Sequence, residues 1–310
     1  MGLRDWDGLP GECSLVLAAL YLSGSPHRLH LDKRRWPGVL SVLRTGALRA
    51  DSAAEGLRAA GYFGEAAALR SAGALDWAFS ESQLGRVATC LDADYPARWL
   101  EVLGDRAPPA LWCLGRSEGA PCVGVVGSRD VEPDVHRFCA AVGREAVRLG
   151  YRVASGGAIG CDSAALQAAS EGGGETLLLA PYGIDRFEDE PPCGQTVLSA
   201  AEPSAVFSRP LAMERNALIH AASRVCVVGQ VRFREGGTWH GASDALRRRL
   251  CPILVRKPDR EDPEEAVRGA RALVALGARY LECPRELGKA IDSLPMEEGL
   301  FRFGGASGVA

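Results

Sequence analysis

Three short segments of the chain combine glycine with hydroxyl, acidic or basic side chains, and each follows a predicted β-strand and precedes a predicted helix. Glycine lets a backbone approach a ligand closely, and a helix N-terminus offers unpaired N–H groups with the positive end of the helix dipole. Hydroxyl and guanidinium groups add further donors, so these residue types predict a site for a phosphate-like anion. The residues are Gly127, Ser128 and Arg129 in the first segment, Ser155, Gly156, Gly157, Gly160 and Asp162 in the second, and Gly236, Gly237 and Thr238 in the third.

Other polar residues have more than one interpretation. Arg215 and Asn216 lie on a predicted helix before the strand at 225–228. Arg215 has the charge to reach a phosphate and Asn216 can brace a loop or contact a base, but an exposed arginine beside a helix cap explains the pattern equally well. Asp162 is suited to capping a helix start, and we favour capping or loop bracing over catalysis. Arg232 and Arg234 flank Phe233, a mixture that suits stacking on single-stranded bases.

The elements that must position these residues alternate between strand and helix. Val123–Gly127 is a nearly continuous apolar strand, as expected for a strand covered on both faces. The next helix carries apolar residues at helical spacing from Val135 to Leu149, and Arg152–Ser155 is a second strand. This alternation continues towards the C-terminus and predicts an α/β, Rossmann-like fold with a mostly parallel sheet and helices on both faces. Ligands of such sheets gather outside the carboxyl ends of the strands, so we expect the three segments at one edge.

The chain divides into four predicted regions. Residues 1–88 contain short helices interrupted by glycine and predict a small helical domain. Residues 89–118 contain prolines and tryptophans and predict a connector that packs on the next domain. Residues 119–294 form the Rossmann-like domain, and we expect the tail at 295–310 to be disordered.

Composition excludes several classes of function. The net charge of −3 argues against a protein that coats nucleic acid through bulk charge, although a local basic groove remains compatible with it. The ten cysteines are scattered singly and no acidic–histidine cluster stands out, so we expect neither a metal nor a cofactor. No signal peptide opens the chain and no apolar run approaches the length of a membrane span, which indicates a cytoplasmic protein without membrane contact.

The order of motifs resembles the DNA-processing protein A family, also called DprA or Smf. The segments that carry the resemblance are VGSR, SGGAIGCDSAAL, LLAPYGID, ERNALIHAASRVCVV and GGTWHGASDAL, and the match spans roughly residues 85–290. The resemblance implies a Rossmann-like core that binds single-stranded DNA, forms a homodimer and helps to load a RecA-type recombinase in natural transformation, with no reaction of its own. It places Gly127 to Arg129, the turn from Ser155 to Asp162, the Arg215-Asn216 motif and Gly237-Thr238 in the DNA site.

The chain also departs from the family pattern. Ile159 stands where the family's turn usually has an arginine, and acidic residues follow Arg186 where the family tends to have polar or basic ones. The winged-helix module of many members is not expected, because too little chain follows Leu294. The alternatives from the same superfold are a nucleoside-monophosphate phosphoribohydrolase and a nucleotide-sensing module. The former is disfavoured because Gly241 occupies the position of its glutamate.

Overall fold

The structure is a computed structural model that describes residues 11–45, 52–92, 95–115, 120–187 and 190–294. The predicted tail at 295–310 lies outside the described residues, as do Glu188 and Asp189 of the acidic segment. Within these ranges the chain forms one sheet surrounded by helices.

The sheet has nine strands in the order β1-β2-β6-β5-β4-β3-β7-β8-β9. Neighbours from β3 to β9 pair in parallel, whereas β1 and β2 pair antiparallel to each other and β2 pairs antiparallel to β6. The predicted α/β fold with a mostly parallel sheet is therefore confirmed. The strands are β1 (Val87–Thr89), β2 (Ala110–Leu114), β3 (Cys122–Val126), β4 (Arg152–Ser155), β5 (Thr176–Leu179), β6 (Gln195–Ser199), β7 (Ser223–Val228), β8 (Ile253–Arg256) and β9 (Arg279–Leu281).

Helices cover both faces of the sheet, as predicted. Val123 and Val125 of β3 pack with α7, α8 and α12 on one face. Val126 of the same strand points to the opposite face, whose core includes α9, α10, α11 and the N-terminal helices. The helices are α1 (Glu12–Tyr21), α2 (Trp36–Thr45), α3 (Ala53–Ala59), α4 (Phe63–Leu69), α5 (Ala74–Gln83), α6 (Ala97–Leu103), α7 (Pro133–Arg148), α8 (Cys161–Glu171), α9 (Arg209–Ala222), α10 (Gly236–Arg248), α11 (Glu264–Ala275) and α12 (Leu287–Asp292).

The segment expected to be a packed connector contributes to the sheet itself. It supplies β2, and β1 at the end of the predicted helical domain pairs with it. The Trp112 indole N–H donates to the Ser23 carbonyl at 2.6 Å, and the Trp99 indole N–H donates to the Leu218 carbonyl at 2.9 Å. Two buried tryptophans thus join the N-terminal helices and α9 through one stretch of chain.

Helices α7 and α8 pack closely against each other at Gly143. Gly143 of α7 is buried, and a side chain there would overlap the carbonyl oxygen of Ala165 in α8. The absent side chain lets the two helices pack closely, and this contact helps to hold α8, whose N-terminal end lies at the site, against its neighbour.

We predict that Gly143→Ala destabilises the protein by about 1–3 kcal/mol, the usual cost of overpacking a close contact. Helix propensity alone would stabilise the variant by up to about 1 kcal/mol, so the sign of the change separates the two effects. Urea unfolding followed by circular dichroism measures it, and an increase in the free energy of unfolding would contradict the close contact.

Candidate functional site

The three glycine segments of the sequence lie side by side at the carboxyl edge of the sheet. They follow β3, β4 and β7, and the sheet order places β3 between β4 and β7. We refer to these loops, residues 127–130, 156–160 and 229–237, as the glycine edge. Helices α8 and α10 begin at the second and third loops.

Asp162 in the first turn of α8 joins two of the loops. Its Oδ1 accepts from the Gly127 N–H and its Oδ2 accepts from the Gly156 N–H, both at 3.2 Å. The side chain is 6% exposed. Asp162 therefore braces the loops from within, as the sequence interpretation favoured, and the carboxylate does not face solvent.

Burial changes the acidity of this carboxyl group. Desolvation raises the pKa of Asp162 from 3.8 to about 6, against the opposing effect of the nearby Arg215 cation. Desolvation lowers the pKa of Arg215, and the charge of Asp162 opposes that shift. Each of the two charges thus stabilises the other inside the protein.

Arg215 lies beneath the second loop. It is 9% exposed, and its Nη1 donates to the Leu179 carbonyl at 2.9 Å. A side chain at Gly156 would overlap the guanidinium, so this glycine is required by close approach. The sequence offered a phosphate contact or an exposed arginine beside a helix cap for Arg215, whereas the structure places its guanidinium in the interior, where it supports the loop from below.

The hydroxyl groups predicted to bind an anion also have partners inside the protein. Ser155 is fully buried, and its Oγ donates to the Val125 carbonyl at 2.5 Å. Thr238 donates to the Gly127 carbonyl at 2.9 Å, and Ser128 donates to the Gln230 carbonyl at 3.2 Å. The prediction of ligand-donating hydroxyls is corrected here, since these groups tie the loops to the strands and to one another.

Gly160 lies where the second loop closely approaches the backbone of the first loop. A side chain at Gly160 would lie 2.5 Å from the carbonyl oxygens of Ser128 and Arg129, and the φ of Gly160 is +91°. Asn216 donates from Nδ2 to the Gly237 carbonyl at 3.3 Å, which connects α9 to the start of α10. Asn216 thus braces a loop, one of the two roles considered for it.

Two kinds of donor still face outward. No side chain caps the N-terminus of α8 or of α10, which are 11 and 13 residues long. Arg129 is exposed, and its guanidinium lies 5.7 Å from the centroid of the Phe207 ring. Among the residues that the structure describes, no carboxylate pairs with Arg129. At the start of α8, however, the Cys161 and Ser163 N–H groups already donate to the Ser128 and Ala158 carbonyls. The outward-facing donors therefore include Arg129 and the start of α10.

The aromatic predicted to stack on bases is already covered. The guanidinium groups of Arg234 and Arg268 lie 5.1 and 5.0 Å from the centroid of the Phe233 ring, and Trp239 packs against it at 5.3 Å. That interpretation of Phe233 is wrong. Sequence reasoning missed Phe207, which is 49% exposed beside Arg129. An aromatic just before the helix start at Arg209 was the available signal.

The departures from the family pattern are visible at the same edge. Ile159 is 75% exposed in the loop that begins α8. That loop therefore presents an apolar side chain where the pattern has a cation. Of the acidic residues after Arg186, Glu190 is exposed, and Glu188 and Asp189 lie outside the described residues.

A parallel sheet with helices on both faces and a glycine-lined carboxyl edge defines the Rossmann-like class of α/β proteins. The family model for DNA recombination-mediator protein A matches residues 86–292, and the chain belongs to this family. A comparison with curated proteins gave no match.

Two solved structures share the fold. DNA processing protein A (DprA) from Streptococcus pneumoniae superposes with a TM-score of 0.62 at 20% identity, over 84% of this chain and 93% of that one. DNA processing protein A from Helicobacter pylori, described for its single-stranded DNA binding mode, has a TM-score of 0.55 at 23% identity, over 66% of this chain and 95% of that one. At these identities the likeness concerns the fold.

Within the described ranges, no helix combines the length and the apolar character needed to cross a bilayer.

We predict that Asp162 makes stability depend on pH in a specific way. Its folded-state pKa lies above its ordinary value of 3.8, so its contribution to stability is largest below that value and is lost as the pH rises through about 6. The free energy of unfolding of the natural protein, minus that of Asp162→Asn, should fall by about 2 kcal/mol between about pH 4 and pH 7. Urea unfolding of both proteins at each pH measures it.

The asparagine variant lacks the titrating group at every pH. The subtraction therefore cancels the contribution of the other carboxyl groups to the pH dependence of the free energy of unfolding. A difference that stays constant with pH would show that Asp162 is not desolvated in the folded protein.

Proposed function

We propose that the glycine edge binds single-stranded DNA through its phosphates. The observation that carries the proposal is the exposed Arg129 guanidinium in the loop to which the uncapped start of α10 is bonded through Thr238. A helix N-terminus and an arginine are complementary to a phosphate in charge and in hydrogen-bond geometry. Membership of the DNA recombination-mediator family supports the choice of DNA over another anion.

The choice of a single strand depends on two further supports. The solved relative from H. pylori is described for its single-stranded DNA binding mode. In this chain Phe207 is half exposed next to Arg129, and an exposed aromatic offers a surface on which an unpaired base can stack. A base held in a duplex has no free face for such a contact.

The binding should be local rather than driven by overall charge. The net charge is −3, and the loop that begins α8 has Ile159 at the position where the family pattern has an arginine. We therefore expect a short contact with few phosphates, and hence a modest dependence of affinity on salt. The buried Arg215 contributes indirectly, by supporting the loop at Gly156.

The family resemblance extends the proposal to partners. We propose that the protein acts as a homodimer, protects incoming single strands and assists a RecA-type recombinase in transformation and recombination in the cytoplasm. Co-sedimentation with the recombinase on single-stranded DNA, and measurement of the molar mass in solution, test these two partnerships.

We further propose that the site performs no reaction. Asp162 is buried as a loop brace, and Gly241 stands at the position where a phosphoribohydrolase would need a glutamate. The exposed acids of the edge, Asp130 and Glu235, lie 3.9 and 3.6 Å from the Arg232 guanidinium, and neither stands at the position of the hydrolase glutamate.

We predict no release of free base when the protein is incubated with nucleoside monophosphates, measured by chromatography. Base release that exceeds that of a Thr238→Ala control would support the hydrolase alternative, because Thr238 holds the loop at Gly127.

We predict that Arg129→Ala weakens binding to single strands about tenfold, as expected for the loss of one charged hydrogen-bonding group. The factor should be similar for oligonucleotides of different sequence, because phosphate contacts do not read bases. The slope of log affinity against log salt should become shallower by about 0.7, the value for one phosphate contact on a single strand. Fluorescence anisotropy over a salt series measures both quantities.

Arg247→Ala is the matched control. Arg247 is exposed in the last turn of α10, at the opposite end of a helix that begins at the glycine edge, and its removal changes the net charge by the same amount. Equal losses for both variants would indicate a general charge effect and would contradict the assigned site.

A further inference from the structure

A cavity of about 570 Å³ lies between a 3₁₀ turn at Lys33–Arg35, the segment from Trp99 to Leu111, and the face of the sheet that carries α9. Its volume is within the range of small-molecule sites. None of the roles described above uses this cavity. It opens next to the carboxyl ends of β5 and β6, which neighbour β4 of the glycine edge.

The interior of the cavity is apolar. Its floor consists of buried leucines contributed by three strands and by α9, and Met213 stands partly exposed at the rim. The leucines are Leu111, Leu179, Leu198 and Leu218. Such a floor favours a planar or apolar body over a fully hydrated ion.

The mouth of the cavity is rich in cations. Lys33 and Arg34 come from a 3₁₀ turn at Lys33–Arg35, and Arg106 comes from a second 3₁₀ turn at Gly104–Arg106 that contacts the first. Lys33 is one of only three lysines in the chain, and burial lowers its pKa. These cations converge from two regions that are distant in sequence.

The acidic residues of the lining compensate this charge only in part. Asp244 pairs with Arg248 at 3.0 Å within α10. Arg215 is compensated by the charge of Asp162, so Glu214 and Asp105 remain against Lys33, Arg34 and Arg106, which leaves one positive charge in excess. The excess favours a ligand with a negative group.

A buried polar atom at the cavity lacks a partner. Arg215 lines the cavity, is 9% exposed, and its Nε has no hydrogen-bond acceptor in the described structure. Its Nη1 is held by the Leu179 carbonyl under the loop at Gly156. One guanidinium therefore connects the cavity to the glycine edge.

We propose that this cavity binds a nucleoside 5′-phosphate, with the base over the leucine floor and the phosphate at the cations of the mouth. The nucleotide can be free or can be the 5′ end of a DNA strand. Binding of a strand end rests on the proposed DNA function, whereas binding of a free nucleotide does not.

Isothermal titration with dAMP, deoxyadenosine and inorganic phosphate tests the proposal. We expect one dAMP to bind per chain. Deoxyadenosine and inorganic phosphate should each bind at least about tenfold more weakly, because the first lacks the contact with the cations and the second lacks the contact with the leucines. Lys33→Ala and Arg106→Ala should each weaken dAMP binding about tenfold, since each removes a charged donor. Glu214→Gln should strengthen it about threefold, because it removes a repelling charge.

Matched controls separate the cavity from general effects. Lys289→Ala and Arg271→Ala change the same charges at exposed positions outside the lining and should leave dAMP affinity unchanged. Ala217→Leu fills part of the cavity and should weaken binding without changing charge. Arg129→Ala should have no effect on dAMP, even though it weakens binding of longer strands.

Single strands with a 5′-phosphate or a 5′-hydroxyl distinguish the two sources. If strand ends enter the cavity, the natural protein should prefer the phosphorylated strand, and Lys33→Ala and Arg106→Ala should abolish the preference. If free nucleotides are the ligand, dAMP binds and the two strands bind equally. The proposal is overturned if millimolar dAMP does not bind, or if Arg129→Ala abolishes dAMP binding while the cavity variants leave it unchanged.

Discussion

The architecture of the glycine edge depends on the contacts that two buried side chains of opposite charge, Asp162 and Arg215, make with the backbone. Asp162 accepts hydrogen bonds from two loops that leave neighbouring strands, and Arg215 supports one of those loops from beneath. Burial raises the pKa of Asp162 and lowers that of Arg215, and the charge of each residue partly opposes the shift of the other. Glycine at position 156 follows from this arrangement, because the guanidinium occupies the space that a side chain would need.

The polar residues of the edge have two different roles, holding the loops and contacting the proposed ligand. Most of them hold the loops: Ser155 bonds to β3, Thr238 to Gly127, and Asn216 to the start of α10. The groups left for a ligand include the backbone N–H groups at the start of α10 and the Arg129 side chain. Donors fixed in this way need little reorganisation when an anion arrives, which is an advantage for a site that recognises a repeated backbone group.

The sequence predicted the fold well because its signals are local. An apolar strand at 123–127, a helix at regular spacing and a second strand at 152–155 determine a parallel α/β unit. The antiparallel strands β1 and β2 were not predicted, because their pairing with β6 depends on residues far apart in the chain. Site residues were predicted by type and place, but not by role. Spacing shows that Arg215 lies near the edge, whereas only packing shows that it lies beneath the loop and that Phe233 is covered.

Hydrogen exchange read by mass spectrometry, with and without single-stranded DNA, tests the central claim most directly. The account predicts that DNA slows exchange of amides at 127–130, at 156–162 and at 236–239, the three loops and the helix starts of the glycine edge. Protection that is absent from all three loops and confined to the N-terminal helices or to α11 and α12 would contradict it.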